Sequence, residues 1–225
     1  MEDQGPEAGH VSPPRDKPPT PVRWVGKAQM RLVATAPRAW RLIRRPTQRF
    51  FDSLAPGWDA RIQPDSPTRL ATLFAGVDRL PAPPKSIVDL GTGTGAAALA
   101  LARRFEDARV EGVDISERMI EVARGKVPAA FADRVRFSVA DVSALPFEPE
   151  SFDLVAQVSV PVFFDQVSRL LKPRGHVIVV SSLGKATPYH LPNRVLRRKF
   201  ERRGFRTVAA GEAGDGTFFV AEKRA

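Results

Sequence analysis

The feature that most constrains this chain is a run of alternating glycines, Gly91-Thr92-Gly93-Thr94-Gly95, placed directly after the apolar stretch Ser86-Ile87-Val88-Asp89-Leu90. A short apolar run bounded by turn residues reads as a buried strand. The alanine- and leucine-rich stretch from Gly95 to Phe105 reads as the helix that follows. Glycines at such a junction let the backbone turn tightly and admit a ligand where any Cβ would collide. The loop amides lie at the positive end of the helix, so they attract an anionic group, and a carboxylate serves as well as a pyrophosphate.

The strand and helix pattern then repeats. Val110 to Asp114 reads as a second strand, Glu117 to Arg124 as a helix capped by Ser116, and Val135 to Ala140 as a third strand. Asp153 to Ser159 is a fourth strand, followed by a helix ending near Leu171; Lys172-Pro173-Arg174-Gly175 turns into a fifth, His176 to Ser182. After a helix from Asn193 to Arg203, Phe205 to Ala209 and Thr217 to Ala221 are strands joined by Ala210 to Gly216, a connection that permits only an antiparallel pair. Upstream, Ser66 caps and Pro67 opens a helix with Leu70, Leu73, Phe74, Val77 and Leu80 on one face, stopping at Pro81. The fold class is α/β: a seven-stranded, mostly parallel sheet with helices on both faces.

Composition narrows the chemistry. A length of 225 residues buries a single core without staples. The absence of cysteine excludes disulfides, zinc thiolates and cysteine nucleophiles, and His10, His176 and His190 lie too far apart in sequence to announce a metal site. No stretch approaches the ~20 apolar residues of a membrane span, and the first residues are acidic rather than basic, so a soluble cytoplasmic protein is expected. The net charge of +10 is unevenly spread: Lys17 to Phe51 contains nine Lys or Arg and no acid. Residues 1–21, with six prolines, are expected to be a disordered tail. Residues 22–49 are expected to form a basic arm of two amphipathic helices broken at Pro37, and residues 50–225 the catalytic domain.

The glycine loop by itself is ambiguous, because Gly91 to Ala96 also satisfies the G-x-G-x-x-G/A pattern of dinucleotide enzymes. Asp114, which ends the second strand and can accept both hydroxyls of a ribose, is common to both readings. The separation comes from Asp141-Val142, Leu145-Pro146-Phe147 and Ser151-Phe152-Asp153-Leu154-Val155. Together with Phe51 to Asp59, Ile115-Ser116-Glu117-Arg118-Met119, Leu170 to Gly175 and the terminal antiparallel hairpin, they resemble class I S-adenosylmethionine-dependent methyltransferases of the ubiquinone/menaquinone C-methyltransferase-like group (methyltransferase type 11). Trp58 stands where that family usually has tyrosine.

The resemblance covers residues 50–223 and implies a Rossmann-like sheet with an antiparallel terminal strand and S-adenosylmethionine as cofactor. It places Asp89, Gly91, Thr92 and Gly93 at the amino-acid end of that cofactor, with Gly95 also among the cofactor-binding residues, Asp114 at the ribose and Ile115 and Met119 on the adenine face. Asp141 would meet the adenine amino group, with Val142 beside it. Against these stand simpler readings: Met119 as core, and Asp89 and Asp114 as solvated carboxylates.

Methyl transfer from a sulfonium is an in-line displacement, so a catalytic side chain is optional, and no residue marks itself as a base. The expected acceptor is a small apolar or aromatic molecule. Val158, Val160, Pro161, Val162, Phe163 and Phe164 read as a wall of its pocket, or as sheet packing. The absence of an Asn-Pro-Pro-Tyr or Asp-Pro-Pro-Tyr pattern there argues against amino-methylation of a base. Tyr189 and His190 either border the pocket or sit on a surface loop, the second being favoured, and His176 is read as structural. With only Pro161 to Leu171 between the fourth and fifth strands, the acceptor cover is expected from the arm. The arm itself reads foremost as a solvated basic face covering the acceptor site, then as a peripheral contact with anionic membrane, and less favourably as a nucleic-acid contact. A second basic row, Arg194, Arg197, Arg198, Lys199, Arg202 and Arg203, is an exposed helical face around Val195, Leu196 and Phe200.

Overall fold

The computed structural model describes residues 20–35 and 39–225. Most of the expected proline-rich tail, and Pro37, lie outside the described residues. Strands β1 (Ser86–Leu90), β2 (Arg109–Asp114), β3 (Val135–Val139), β4 (Phe152–Val158), β5 (Leu171–Ser181), β6 (Phe205–Ala213) and β7 (Gly216–Lys223) form one sheet in the order β3-β2-β1-β4-β5-β7-β6. The first five are parallel, and β7 runs antiparallel to both β5 and β6. This is the seven-stranded Rossmann-like sheet with a reversed last strand.

Successive strand residues point to opposite faces, and here both faces are apolar. Ile87, Leu154, Ile178 and Val220 pack against helices α4 (Pro67–Val77), α5 (Ala96–Arg104) and α6 (Glu117–Gly125) through residues such as Leu73, Leu101 and Ile120. Val88, Val155, Val179 and Phe219 pack against α7 (Phe164–Leu170) and α8 (Asn193–Glu201) through Val167, Leu170, Leu196 and Phe200. The arm forms α1 (Thr20–Thr35) and α2 (Trp40–Leu54), and Met30 of α1 joins the second core. The helix α2 carries Pro46 and continues across residue 50 without interruption. A 3-10 turn, Ala55–Gly57, leads into the short α3 (Trp58–Ile62).

Three details differ from the sequence expectation. The fifth strand begins at Leu171 rather than His176: Leu171 pairs with Phe152, and Lys172 to Gly175 bulges out before His176 pairs with Leu154. The final hairpin turns on Gly214-Asp215 alone, with Ala213 opposite Gly216, so the run of small residues that read as a loop is mostly strand. Gly211 belongs there because a Cβ would stand 3.2 Å from the Phe218 ring across the ladder. Ser66 precedes α4 in extended conformation but caps it through its carbonyl, which accepts from the Arg69 and Leu70 amides, and not through its side chain. Ser116 does cap α6 with its hydroxyl, 3.2 Å from the Met119 amide.

Candidate active site

The chain leaves β1 toward β2 and β3 on one side and returns to β4 and β5 on the other, so the carboxyl end of β1 is a topological switch point where an open α/β sheet leaves a crevice. A cavity lies there. Its cofactor half is lined by Asp89, Gly91, Thr92, Gly93 and Thr94 after β1, Asp114 and Ile115 after β2, Met119 of α6, and Val142 after β3. Of the ten residues singled out in the sequence, eight therefore share one cavity, while Gly95 and Asp141 stand just outside it.

The glycine loop is tethered to β2, because the Gly91 and Thr92 amides donate to the Val113 carbonyl at 2.8 and 2.9 Å. Gly93 has φ +54°, and a Cβ there would meet no protein atom within 4 Å, which leaves its face of the loop open to a ligand. Gly95, at φ +84°, caps α5, and a Cβ there would strike the Phe137 ring at 2.7 Å. Its role in the fold is therefore close packing beneath the loop, not contact with the cavity.

Asp89 is 1% exposed. One carboxylate oxygen, Oδ2, accepts from Thr92 Oγ1 at 2.7 Å, and the other, Oδ1, has no hydrogen-bond partner. Burial, opposed by the Thr92 hydrogen bond and reinforced by the charge of Asp114, pushes this carboxyl up to about 6. Asp114 accepts from the Gly93 amide at 2.9 Å through Oδ2 and from the Ser116 amide at 2.9 Å through Oδ1. Burial raises its pKa too, against those amide hydrogen bonds. A buried carboxylate oxygen without a partner, beside loop amides, suits the ammonium and carboxylate of an amino-acid moiety.

Asp141 ties the end of β3 to the arm. Its Oδ1 accepts from the Trp40 indole Nε1 at 2.8 Å and from the Ser143 amide at 2.8 Å. Its Oδ2 lies 3.6 Å from an Arg44 nitrogen and accepts no hydrogen bond. Trp40 meets Phe163 edge-on, 5.4 Å between ring centres, and with Val33 they form a small cluster flanked by Ile43, Ile115 and Val142. The arm thus reaches the residues assigned to adenine. Met119 serves both readings, being buried at the core and lining the cavity.

Asp52 and Asp59 belong to the Phe51–Asp59 segment that carries part of the family resemblance, and the structure gives them partners. Asp52 accepts from the Ser116 hydroxyl at 2.6 Å and the Arg118 amide at 3.3 Å, fastening the end of α2 to α6. Asp59 accepts from the Thr94 hydroxyl at 2.6 Å and pairs with Lys126, which also donates to the Thr94 carbonyl. The Asp59 contact clamps the segment after α2 onto the glycine loop, and the Asp52 contacts clamp the end of α2 onto the start of α6.

The other half of the cavity is lined by Val158, Ser159, Val160, Pro161 and Phe163 after β4, and by Ser182 and Tyr189 after β5. Gln29, Trp40, Thr47 and Phe51 close it from the arm. Tyr189, expected more readily on a surface loop, is 8% exposed and donates from its hydroxyl to Gln29 Oε1 at 2.9 Å. Gln29 Nε2 in turn donates to Thr47 Oγ1 at 2.9 Å. Burial raises the Tyr189 pKa further above its ordinary value, so the phenol keeps its proton. His190 is not among the residues lining the cavity, and His176 sits 3.8 Å from Glu222 between β5 and β7, a structural position. Among the described residues no group of His, Cys, Asp and Glu is arranged to hold a metal ion.

The switch-point cavity, the glycine loop and the acids at the ends of β1, β2 and β3 fit the class I S-adenosylmethionine-dependent methyltransferases that the sequence resembles, and the comparisons point the same way. Residues 87–175 match the family model described as a methyltransferase domain. The chain is 30% identical over 157 residues to the malonyl-[acyl-carrier protein] O-methyltransferase of Halorhodospira halophila, covering 66% of this chain and 51% of that protein. It is 32% identical over 144 residues to the ubiquinone/menaquinone biosynthesis C-methyltransferase of Geotalea daltonii, covering 59% and 61%. A solved S-adenosylmethionine-dependent methyltransferase from Aquifex aeolicus shares the fold at a TM-score of 0.59 and 19% identity over 71% of this chain and 95% of that one. The chain is similar to this class and, within it, to the ubiquinone/menaquinone C-methyltransferase-like group. It spans between about half and six tenths of the length of those two curated relatives.

Proposed function

We propose that this protein transfers a methyl group from S-adenosylmethionine to a small apolar or aromatic acceptor held between the ends of β4 and β5 and the arm. The observation that carries this reading is the cavity itself, which joins an acid-flanked glycine loop to an apolar chamber roofed by α1 and α2. When bound, S-adenosylmethionine supplies a methyl carbon already activated by its sulfonium. The loop amides and Asp89 would hold the amino-acid end, Asp114 the ribose hydroxyls, Ile115, Met119 and Val142 the adenine, and Asp141 Oδ2 its amino group.

The protein's share of the work is alignment and exclusion of water. Val158, Val160, Pro161 and Phe163 form the apolar wall, while Tyr189, Gln29 and Thr47 add one connected polar strip. Tyr189 donates its one hydroxyl hydrogen to Gln29, which leaves the second Nε2 hydrogen of Gln29 and the Thr47 hydroxyl to donate to an acceptor oxygen. The acceptor therefore brings its own nucleophilic carbon or oxygen. The similarity to a quinone-pathway C-methyltransferase supports a reduced aromatic ring as the first acceptor to try.

Calorimetry on the purified protein with S-adenosylhomocysteine beside NADH tests the cofactor. Micromolar binding of the first alone is expected; binding of NADH alone, or of neither, overturns the proposal. A reduced naphthoquinone with methyl-labelled cofactor then tests the acceptor class.

A further inference from the structure

The arm and α8 lie more than 140 residues apart in the chain, yet Arg41 and Arg44 of α2 and Lys199 and Arg203 at α8 line one groove. Its volume is about 510 Å³ and its apolar floor includes Phe163 and Phe164. Asp141 and Asp165 pair with Arg44 and Arg203, and Lys199 and Arg203 stand over the Phe164 ring. Outside the groove Arg45 and Arg49 on α2 and Arg194, Arg198 and Arg202 along and just after α8 are exposed as well, while Arg197 lines a separate pocket beside β6. No acid interrupts Lys17 to Phe51.

Two large apolar side chains stand out of this charge. Leu42 is 80% exposed and Trp24 is 72% exposed. At helical spacing Leu42 is flanked on the outer face of α2 by Arg41, Arg45 and Arg49, and Trp24 lies one turn from exposed Lys27 on α1. A protein partner buries a contiguous apolar patch, which this face does not offer. Phosphate contacts to a nucleic acid would use the arginines and leave Leu42 idle. A headgroup layer takes isolated apolar anchors one at a time while its phosphates meet the cations between them.

We infer that the outer face of the arm, continued by α8, docks on an anionic lipid surface, with Trp24 and Leu42 inserted at the headgroup level and lipid phosphates in the groove between α2 and α8. The placement matters for the site beneath. Phe163 lines both the groove and the cavity, with Trp40 packed on its edge, so the docked face is separated from the acceptor chamber by a wall of two aromatic rings. A lipid-soluble acceptor would then meet the protein on the side that roofs its pocket.

The test is sedimentation of the full-length protein with vesicles of phosphatidylcholine alone or with about one third phosphatidylglycerol, without cofactor or acceptor, so its result does not depend on the methyl-transfer reading. Binding to the anionic vesicles only, falling steeply with salt, is expected. Joint substitution Arg41→Glu and Arg45→Glu should weaken it more than about tenfold, and Leu42→Ala or Trp24→Ala several-fold with no change in charge. These four side chains are outside the cofactor site, so unchanged S-adenosylhomocysteine binding and melting curves confirm that the variants fold. In the unaltered protein, vesicles should shift tryptophan emission to the blue, a shift absent from Trp24→Phe. No binding to anionic vesicles, binding indifferent to Leu42 and Trp24, or tighter binding to an RNA oligonucleotide that displaces the vesicles would each overturn the inference.

Discussion

Asp89 places a buried acid where it costs stability and serves binding. Its folded pKa, raised to about 6 from 3.8, means that the folded state holds a proton more tightly than the unfolded chain does. The ionised form therefore opposes folding, a penalty that grows as pH rises from about 4 through 6 and is complete above that. Asp89→Asn should accordingly raise the melting temperature of the ligand-free protein by on the order of 5 °C at pH 8, with the gain shrinking toward pH 4. The same ionised form is what an ammonium group needs, so S-adenosylhomocysteine affinity should be flat above pH 7 and fall as pH drops through 6. Titration calorimetry from pH 5 to 8 checks this, and Asp89→Asn should bind at least about tenfold more weakly and lose that pH dependence. The glycines separate in a similar way. Gly93→Ala places its Cβ in open space but at φ +54°, so it should fold at a cost of about 1 kcal/mol of backbone strain while losing ligand affinity. Gly95→Ala drives a methyl into Phe137 at a positive φ and should cost about 2 kcal/mol or more, read by denaturant unfolding.

At the scale of elements, the arm is the piece whose role changed most between sequence and structure. Its helices were legible from their amphipathic spacing. Its contacts were not: Trp40 meets Asp141 across 101 positions and Tyr189 meets Gln29 across 160. Periodicity reports which face of a helix is apolar, not what that face will touch. Trp40→Phe keeps the ring against Phe163 but removes the hydrogen bond to Asp141, so it should loosen the arm. Faster proteolysis between α1 and α2 and weaker S-adenosylhomocysteine binding are the expected outcomes. Tyr189→Phe leaves Gln29 Oε1 without its donor inside an apolar wall and should cost about 1–2 kcal/mol in chemical unfolding while leaving S-adenosylhomocysteine affinity unchanged. Equal loss of cofactor affinity in Tyr189→Phe would move the polar strip from the acceptor end to the cofactor end.

For the whole molecule, what the sequence determined by itself was everything carried by neighbouring residues. The glycine junction needs only the strand before it and the helix after it. The parallel sheet follows from strands that alternate with helices, and the reversed last strand from a connection too short to cross over. The acids at the ends of β1, β2 and β3 were legible for the same reason, since a strand end locates a side chain along the sheet edge without knowledge of its partners. The tertiary structure decided where distant segments meet. It supplied the contacts that hold the arm over the cavity, where a cover was expected, turned Gly95 toward Phe137 rather than the cavity, brought Tyr189 inward and joined the basic faces of α2 and α8 along one groove. Such pairings depend on how side-chain volumes and unsatisfied polar groups are reconciled in three dimensions.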